Sequence, residues 1–232
     1  MMNYFTFGNL VSSDYGVYVA KSNMFDSASE DVEEVIIPGR NGALHISNNR
    51  FNVFEPELVC YVTSSNIQES ISNFRNALQS IKTIAEYRES LVSGQFRKAR
   101  YIDGIKITGS DTVGAYFTLK FRAQPERYLD SGQTTITLTA SGTISNPGLD
   151  AKPLIAITGN GTVVVNGYSI VVTNNASNTL YIDCESMQIY RGTTNMSSYV
   201  TMAEFPVLSQ GSNTVTLTSV SRVVITPRWW IL

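Results

Sequence analysis

Histidine is nearly missing: 232 residues contain only His45. A His-rich metal site or a histidine-based catalytic triad is therefore hard to assemble. Cysteine is almost as scarce, with only Cys60 and Cys184. They fall in different halves of the chain on apolar strands, so two buried thiols are expected rather than a disulfide. No apolar run approaches the roughly 20 residues of a membrane-crossing helix, so no membrane anchor is expected. The opening MMNYFTFGN has no basic segment and no long apolar segment, and no secretory signal is expected from it. Without secretion, the three Asn-x-Ser/Thr sequons at Asn160, Asn175 and Asn195 carry no meaning. Neither sign of charge dominates. Seventeen basic residues face nineteen acidic ones, giving a net charge of −2. No global field draws the chain to DNA or to an anionic membrane. Zinc, P-loop, nucleophile-elbow and heptad patterns are all missing, so no cofactor is expected.

What is present changes character along the chain. The stretch Lys120 to Tyr128, reading KFRAQPERY, divides a charged first part from a second part rich in Thr, Ser and Asn. Phe117, Leu119 and Phe121 alternate with polar residues, as in a strand. Pro125 has no N–H for a ladder and is expected to end that strand. Two domains follow from this reading, 1–128 and 129–232.

In the first part, Ile67, Ile71, Phe74, Leu78 and Ile81 recur at steps of four and three. That spacing predicts one amphipathic helix over 66–83, with Ser65 and Gln68 at capping-box spacing. Val35-Ile36-Ile37 reads as a strand, Pro38-Gly39-Arg40-Asn41-Gly42 as a turn, and Leu44 and Ile46 as the returning strand. Residues 33–54 thus form a hairpin arm, with His45 as a surface residue on it. Further strands are expected at 87–92, 96–107 and 113–123, with turns at Gly94 and at Gly109-Ser110-Asp111. From Thr134 onward short strands alternate with turns at about 8–12-residue spacing, which predicts a β-sandwich. Asn166-Gly167 is the strongest hairpin signal there.

Four constellations are candidates for function. Asp183 and Glu185, two apart on one strand face, have a spacing that glycosidase carboxyls can also have. No acidic or aromatic cluster surrounds them in sequence, and a hydrogen-bonded strand end is the expected role. The turn Gly159-Asn160-Gly161 is followed by a strand and not a helix, so it reads as a hairpin turn and not a nucleotide fingerprint. Arg97, Lys98 and Arg100 form a short basic cluster, read as a solvated strand face or a protein contact. Trp229-Trp230 close the chain. Alternation predicts one tryptophan in the core and one, Trp230, facing a partner.

These pieces, in this order, resemble the distal tail proteins of long, non-contractile-tailed bacteriophages. The resemblance is carried by Phe7-Gly8 with Gly16, by the Val35-to-Gly42 arm, and by the helix ending at Leu78 to Ile81. The Phe121-x3-Pro125-x2-Tyr128 exit follows. In the second half it rests on Asn146-Pro147-Gly148, Lys152-Pro153-Leu154-Ile155, the Gly159/Gly161 turn and Asp183 followed by Tyr190. Glu204-Phe205-Pro206-Val207-Leu208 with Gly211-Ser212-Asn213, and Pro227-Arg228-Trp229-Trp230, complete it. The turn at 91–96 is shorter than the usual loop there.

The resemblance implies a mainly β protein: an N-terminal β-sandwich with one α-helix and an extended hairpin arm, then a C-terminal galectin-like β-sandwich. It implies a structural virion protein and not an enzyme. Such a subunit forms a homo-hexameric ring between the tail tube protein and the tail-associated or tail-tip protein, with receptor-binding proteins docked on it. DNA passes through the ring without specific binding, in keeping with the mild acidity. The expected localisation is the phage tail tip, after synthesis in the host bacterial cytoplasm. The arm residues Ile36, Ile37, Arg40, Leu44 and Ile46 are the expected subunit contacts. Arg97, Lys98, Arg100 and Trp230 are the expected partner contacts. A module binding bacterial wall sugars through the second half, with Tyr168, Tyr181, Tyr190 or Tyr199, stays open as the alternative.

Overall fold

The computed structural model describes residues 2–110, 114–176 and 178–232. Asp111 of one expected turn, Val113 at the start of one expected strand, and Ser177 of one sequon lie outside the described residues. The chain divides into two compact units, Met1–Arg127 with Leu232, and Tyr128–Ile231. Among the described residues no helix is long and apolar enough to cross a membrane.

The first unit is built on a continuous sheet. Its strands run in the order Leu10–Val11, Phe5–Phe7, Ala85–Glu89, Gln95–Tyr101, Gly114–Leu129, Glu57–Thr63 and Val17–Ser22. Alternation along Gly114–Leu129 turns Ala115, Phe117, Leu119, Phe121 and Ala123 into the core. Phe121 lies at the centre, its ring centroid 4.9 Å from Tyr87, 5.1 Å from Phe7, 5.4 Å from Tyr101 and 5.7 Å from Phe5. The α-helix Ile67–Ser80 buries Phe74 and Leu78 against this cluster, with Ile67, Ile71 and Ile81 partly buried beside them.

Two details of this unit correct the sequence reading. The helix is capped by Asn66 and not Ser65. The Asn66 side chain accepts from the Glu69 backbone N–H at 3.2 Å and donates to the Glu69 carboxylate at 2.8 Å. The cap sits one residue later than expected and is not a reciprocal box, because the Asn66 backbone N–H donates to the Ser64 hydroxyl at 3.2 Å and not to Glu69. The strand also runs through Pro125 to Leu129 instead of stopping. A proline φ near −65° is close to extended backbone, and the Pro125 carbonyl remains an acceptor, taken by Arg97 at 2.6 Å.

The second unit is a pair of antiparallel sheets around an aliphatic core. One sheet runs Ile136–Leu138, Arg222–Thr226, Leu154–Thr158, Thr179–Asp183, Gln188–Arg191, Thr194–Asn195. The other runs Gly142–Asn146, Gly211–Thr218, Gly161–Val165, Tyr168–Val172, Val200–Thr201. Ile155, Ile157, Val163, Val165, Ile182 and Val223 are among the fully buried residues of this core. Asn166 and Gly167 both take positive φ, 50° and 88°, and Val165 pairs with Tyr168 across them. This is the two-residue turn that the sequence specifies. Buried asparagines tie the loops: Asn213 donates to the carbonyls of Ser209 at 2.9 Å and Gly211 at 3.0 Å, and Asn146 to those of Leu149 and Leu208.

Gly159-Asn160-Gly161 is not a hairpin turn. The strands on its two sides, Leu154–Thr158 and Gly161–Val165, belong to different sheets, so the turn carries the chain across the sandwich. Gly161 sits at φ +143°, and a Cβ there would lie 2.2 Å from the Thr218 carbonyl oxygen. Gly161→Ala is therefore expected to destabilise the second unit by on the order of 1–3 kcal/mol. Both tryptophans, Trp229 and Trp230, are in this unit, so urea unfolding followed by tryptophan fluorescence reads the loss.

Candidate functional site

The arm is a long hairpin whose residues are mostly exposed. Glu30–Ile36 and Ala43–Phe51 pair only with each other, as a two-stranded sheet. Its root is fixed by buried Met24, Ala28 and Phe54, and by the Asn52 N–H donating to the Ser29 carbonyl. An ion pair joins Arg50 to Asp31 on it, and the His45 ring lies 3.5 Å from the Glu34 carboxylate. Beyond the root, the apolar side chains are left in water. Ile36 is 82% exposed, Ile46 45%, Leu44 39% and Ile37 38%.

The register sorts these residues by face. Val35 lies opposite Leu44 and Glu33 opposite Ile46, so Leu44 and Ile46 share one face with Val35. Ile36 pairs with Ala43 on the other face, with Glu34 between it and Val32. Ile37 is not in the strand: its carbonyl accepts from the Arg40 N–H at 3.1 Å and opens the turn. The five expected contact residues are thus spread over both faces and the tip. Two apolar faces on an isolated hairpin have little of their own to hold them in water.

The basic cluster does not survive as one. Arg97 is fully buried, and this corrects its assignment as a partner contact. Its guanidinium lies 4.0 Å over the Phe54 ring and donates to the carbonyls of Pro125 and Asp26. Burial first, and then the neighbouring Arg127 charge, push its pKa down to about 10. Alternation is the reason: Arg97, Ala99 and Tyr101 face inward, while Lys98 is half-buried and Arg100 exposed. Trp229 is in the core at 4% exposure. Trp230 is half-buried, with its indole N–H donating to the Asp150 carbonyl at 2.9 Å.

Asp183 and Glu185 are held together by Arg228. The guanidinium forks onto Asp183 at 2.7 and 3.1 Å and reaches Glu185 at 3.2 Å. Asp183 also accepts from the backbone N–H groups of Glu185 and Ser186. Burial raises its pKa, but the Arg228 hydrogen bond and charge, with those N–H groups, outweigh this and hold it at about 2. Such a carboxyl has no proton to give at neutral pH, and its oxygens are taken up by Arg228 and those N–H groups.

A pH prediction follows from the depressed value. The stabilisation is fully present above the ordinary carboxylate pKa of 3.8 and is lost as the pH falls through about 2. Asp183→Asn is expected to cost about 1–2 kcal/mol at pH 7, after allowance for screening. Urea midpoints of the two proteins, measured from pH 6 down to about pH 2, should converge at the acid end.

Two features had no counterpart in the sequence reading. Glu89 is buried and accepts from the Tyr87 hydroxyl at 2.5 Å and the Ser22 hydroxyl at 2.7 Å. Burial raises its pKa against those hydrogen bonds. Tyr18, Tyr61 and Tyr116 form a cross-strand row on the outer face of the first unit, with ring centroids 5.7 and 6.4 Å apart. The sequence signal was available, since each tyrosine sits between two inward-facing residues.

No family model matches the chain, and no curated protein does. Solved structures do. The crystal structure of the SPP1 Dit (gp 19.1) protein, described as a paradigm of the hub adsorption apparatus in phages infecting Gram-positive hosts, aligns with a TM-score of 0.72. The alignment has 14% identity and covers 97% of this chain and 98% of that one. A chain of the phage p2 baseplate, in its activated conformation with Sr, aligns with a TM-score of 0.50 and 12% identity. It covers 97% of this chain and 96% of that one. Over nearly its whole length, this chain therefore has the mainly β fold of the SPP1 Dit protein.

Proposed function

We propose that the chain is a structural subunit of a phage tail: a hexameric distal-tail ring that joins the tail tube to the baseplate or tail tip and docks host-adsorption proteins. The observation that carries this reading is the end-to-end fold match to a protein described as an adsorption hub, with 97% and 98% of the two chains covered. The uncovered arm supports it. A subunit that closes a ring needs a surface that reaches a neighbour and differs from the surface it meets. Ile36, Ile37, Leu44 and Ile46 are the apolar part of that contact and Arg40 its charged tip. Lys98, Arg100 and Trp230 are left for the tube or tail-tip partners. DNA passes the ring unbound, and the protein resides in the virion after synthesis in the bacterial host. The role needs no catalysis.

Electron microscopy of the purified chain tests this. Class averages with six-fold symmetry and an open centre are the expected result. Compact particles without rotational symmetry contradict it.

A further inference from the structure

We infer that the outer face of the six-stranded sheet carries a binding slot for a single pyranose sugar ring. The register places Thr137, Val224, Ala156, Tyr181 and Tyr190 in one row across five adjacent strands, all on the face away from the core. Tyr181 and Tyr190 stand side by side, their rings 5.5 Å apart and 15° from parallel. One face of the Tyr181 ring is thus covered, and the other looks across the neighbouring strand over Ala156.

Alanine at that position opens a cleft of about 250 Å³. Ala156 is its floor, Tyr181 one wall and Val224 the other. The volume is below the roughly 300–1,000 Å³ of pockets that bury drug-sized ligands, so it suits one ring and not an extended molecule.

The lining chooses the chemistry. A pyranose has faces of C–H bonds, which pack on an aromatic ring, and an edge of hydroxyls that need both donors and acceptors. Tyr181 supplies the first. Thr135, Thr179 and Thr226 supply hydroxyls that do both, and Arg222 supplies donors. The Thr179 hydroxyl is already held at 2.7 Å by that of Thr158, which fixes its position. No carboxylate lines the cleft among the described residues, so nothing repels an acidic sugar. This inference stands apart from the ring assembly, because all these residues lie on the sheet of the second unit.

Saturation-transfer NMR on the full chain tests it. The probes are the methyl pyranosides of glucose, galactose, mannose, N-acetylglucosamine and glucuronic acid at millimolar concentration. Transfer is expected to the ring C–H protons of at least one probe, with a Kd on the order of millimolar, as suits so small a ligand. Ala156→Leu fills the slot from its floor without removing any lining group and should weaken the signal about tenfold or more. Should that variant fail to fold, Tyr181→Ser removes the stacking wall and should do the same. No transfer from any probe, or equal transfer in a folded Ala156→Leu variant, overturns the inference. The solution mass of Ala156→Leu is expected to match that of the unaltered chain, which separates this result from the fate of the ring.

Discussion

Replacing Ile36, Leu44 and Ile46 together by serine is expected to release the ring as monomers while the fold stays intact. Ile36 is largely in water in the single chain, and Ile46 and Leu44 are 45% and 39% exposed, so their removal costs the fold little. Surface substitutions of this kind stay within about ±0.5 kcal/mol. In a ring each is buried once per interface. Burying such a side chain contributes roughly 1.5–3 kcal/mol when complete, and somewhat less from a partly exposed start. Even about 1 kcal/mol each gives about 3 kcal/mol per interface, a weakening of about a hundredfold. A closed ring needs every interface, so the loss compounds. Sedimentation velocity reads the mass, and a melting curve confirms the fold. An unchanged mass would mean that the arm is not the subunit contact, and a lowered melting temperature would mean that its side chains pack within their own chain. The substitutions remove apolar groups from both arm faces, so the result does not depend on which face is covered.

Phe121→Ala is expected to cost the first unit about 3–5 kcal/mol, the usual loss for a large aromatic in a packed core. The ring is 1% exposed and touches four other aromatic rings that come from three different strands. These neighbours cannot collapse onto an alanine without moving several strands, so the upper half of that range is expected. Domain stabilities are about 5–15 kcal/mol in all, and the variant should therefore be near the limit of folding. The first unit has no tryptophan, so near-ultraviolet circular dichroism from its tyrosines is the appropriate probe. A loss under about 1 kcal/mol would contradict the packing, since such a value belongs to a side chain that can be replaced without leaving a cavity.

The helix and the Asn166-Gly167 hairpin were legible in the sequence because each is set by local chemistry. A 3.6-residue period and a pair of residues tolerant of positive φ act within a few positions. The Asn66 cap was missed by one residue because Ser65 and Asn66 are both good caps, and only the reach to Glu69 decides between them. Arg97 was misread because its charge was weighed ahead of its place in the alternation with Ala99 and Tyr101. Its burial depends on Phe54 and on carbonyls at Asp26 and Pro125, all remote in sequence. The strand through Pro125 and the sheet crossing at Gly159-Asn160-Gly161 depend on which strands neighbour one another, which local patterns do not encode. The arm was legible as a hairpin, but the assignment of Ile36 and Leu44 to opposite faces needed the register. Tyr181 and Tyr190 stand out in the sequence as candidate sugar contacts, but their place beside Ala156 and Val224 was out of reach for the same reason. Ala156, Tyr181 and Val224 are separated by dozens of residues and meet only through strand order.

The mass of the intact chain in solution, by light scattering across a range of concentrations, tests the central claim most directly. The account predicts a species of about six times the 25.6 kDa chain mass. A mass that stays at 25.6 kDa at every concentration contradicts a ring closed by the arm.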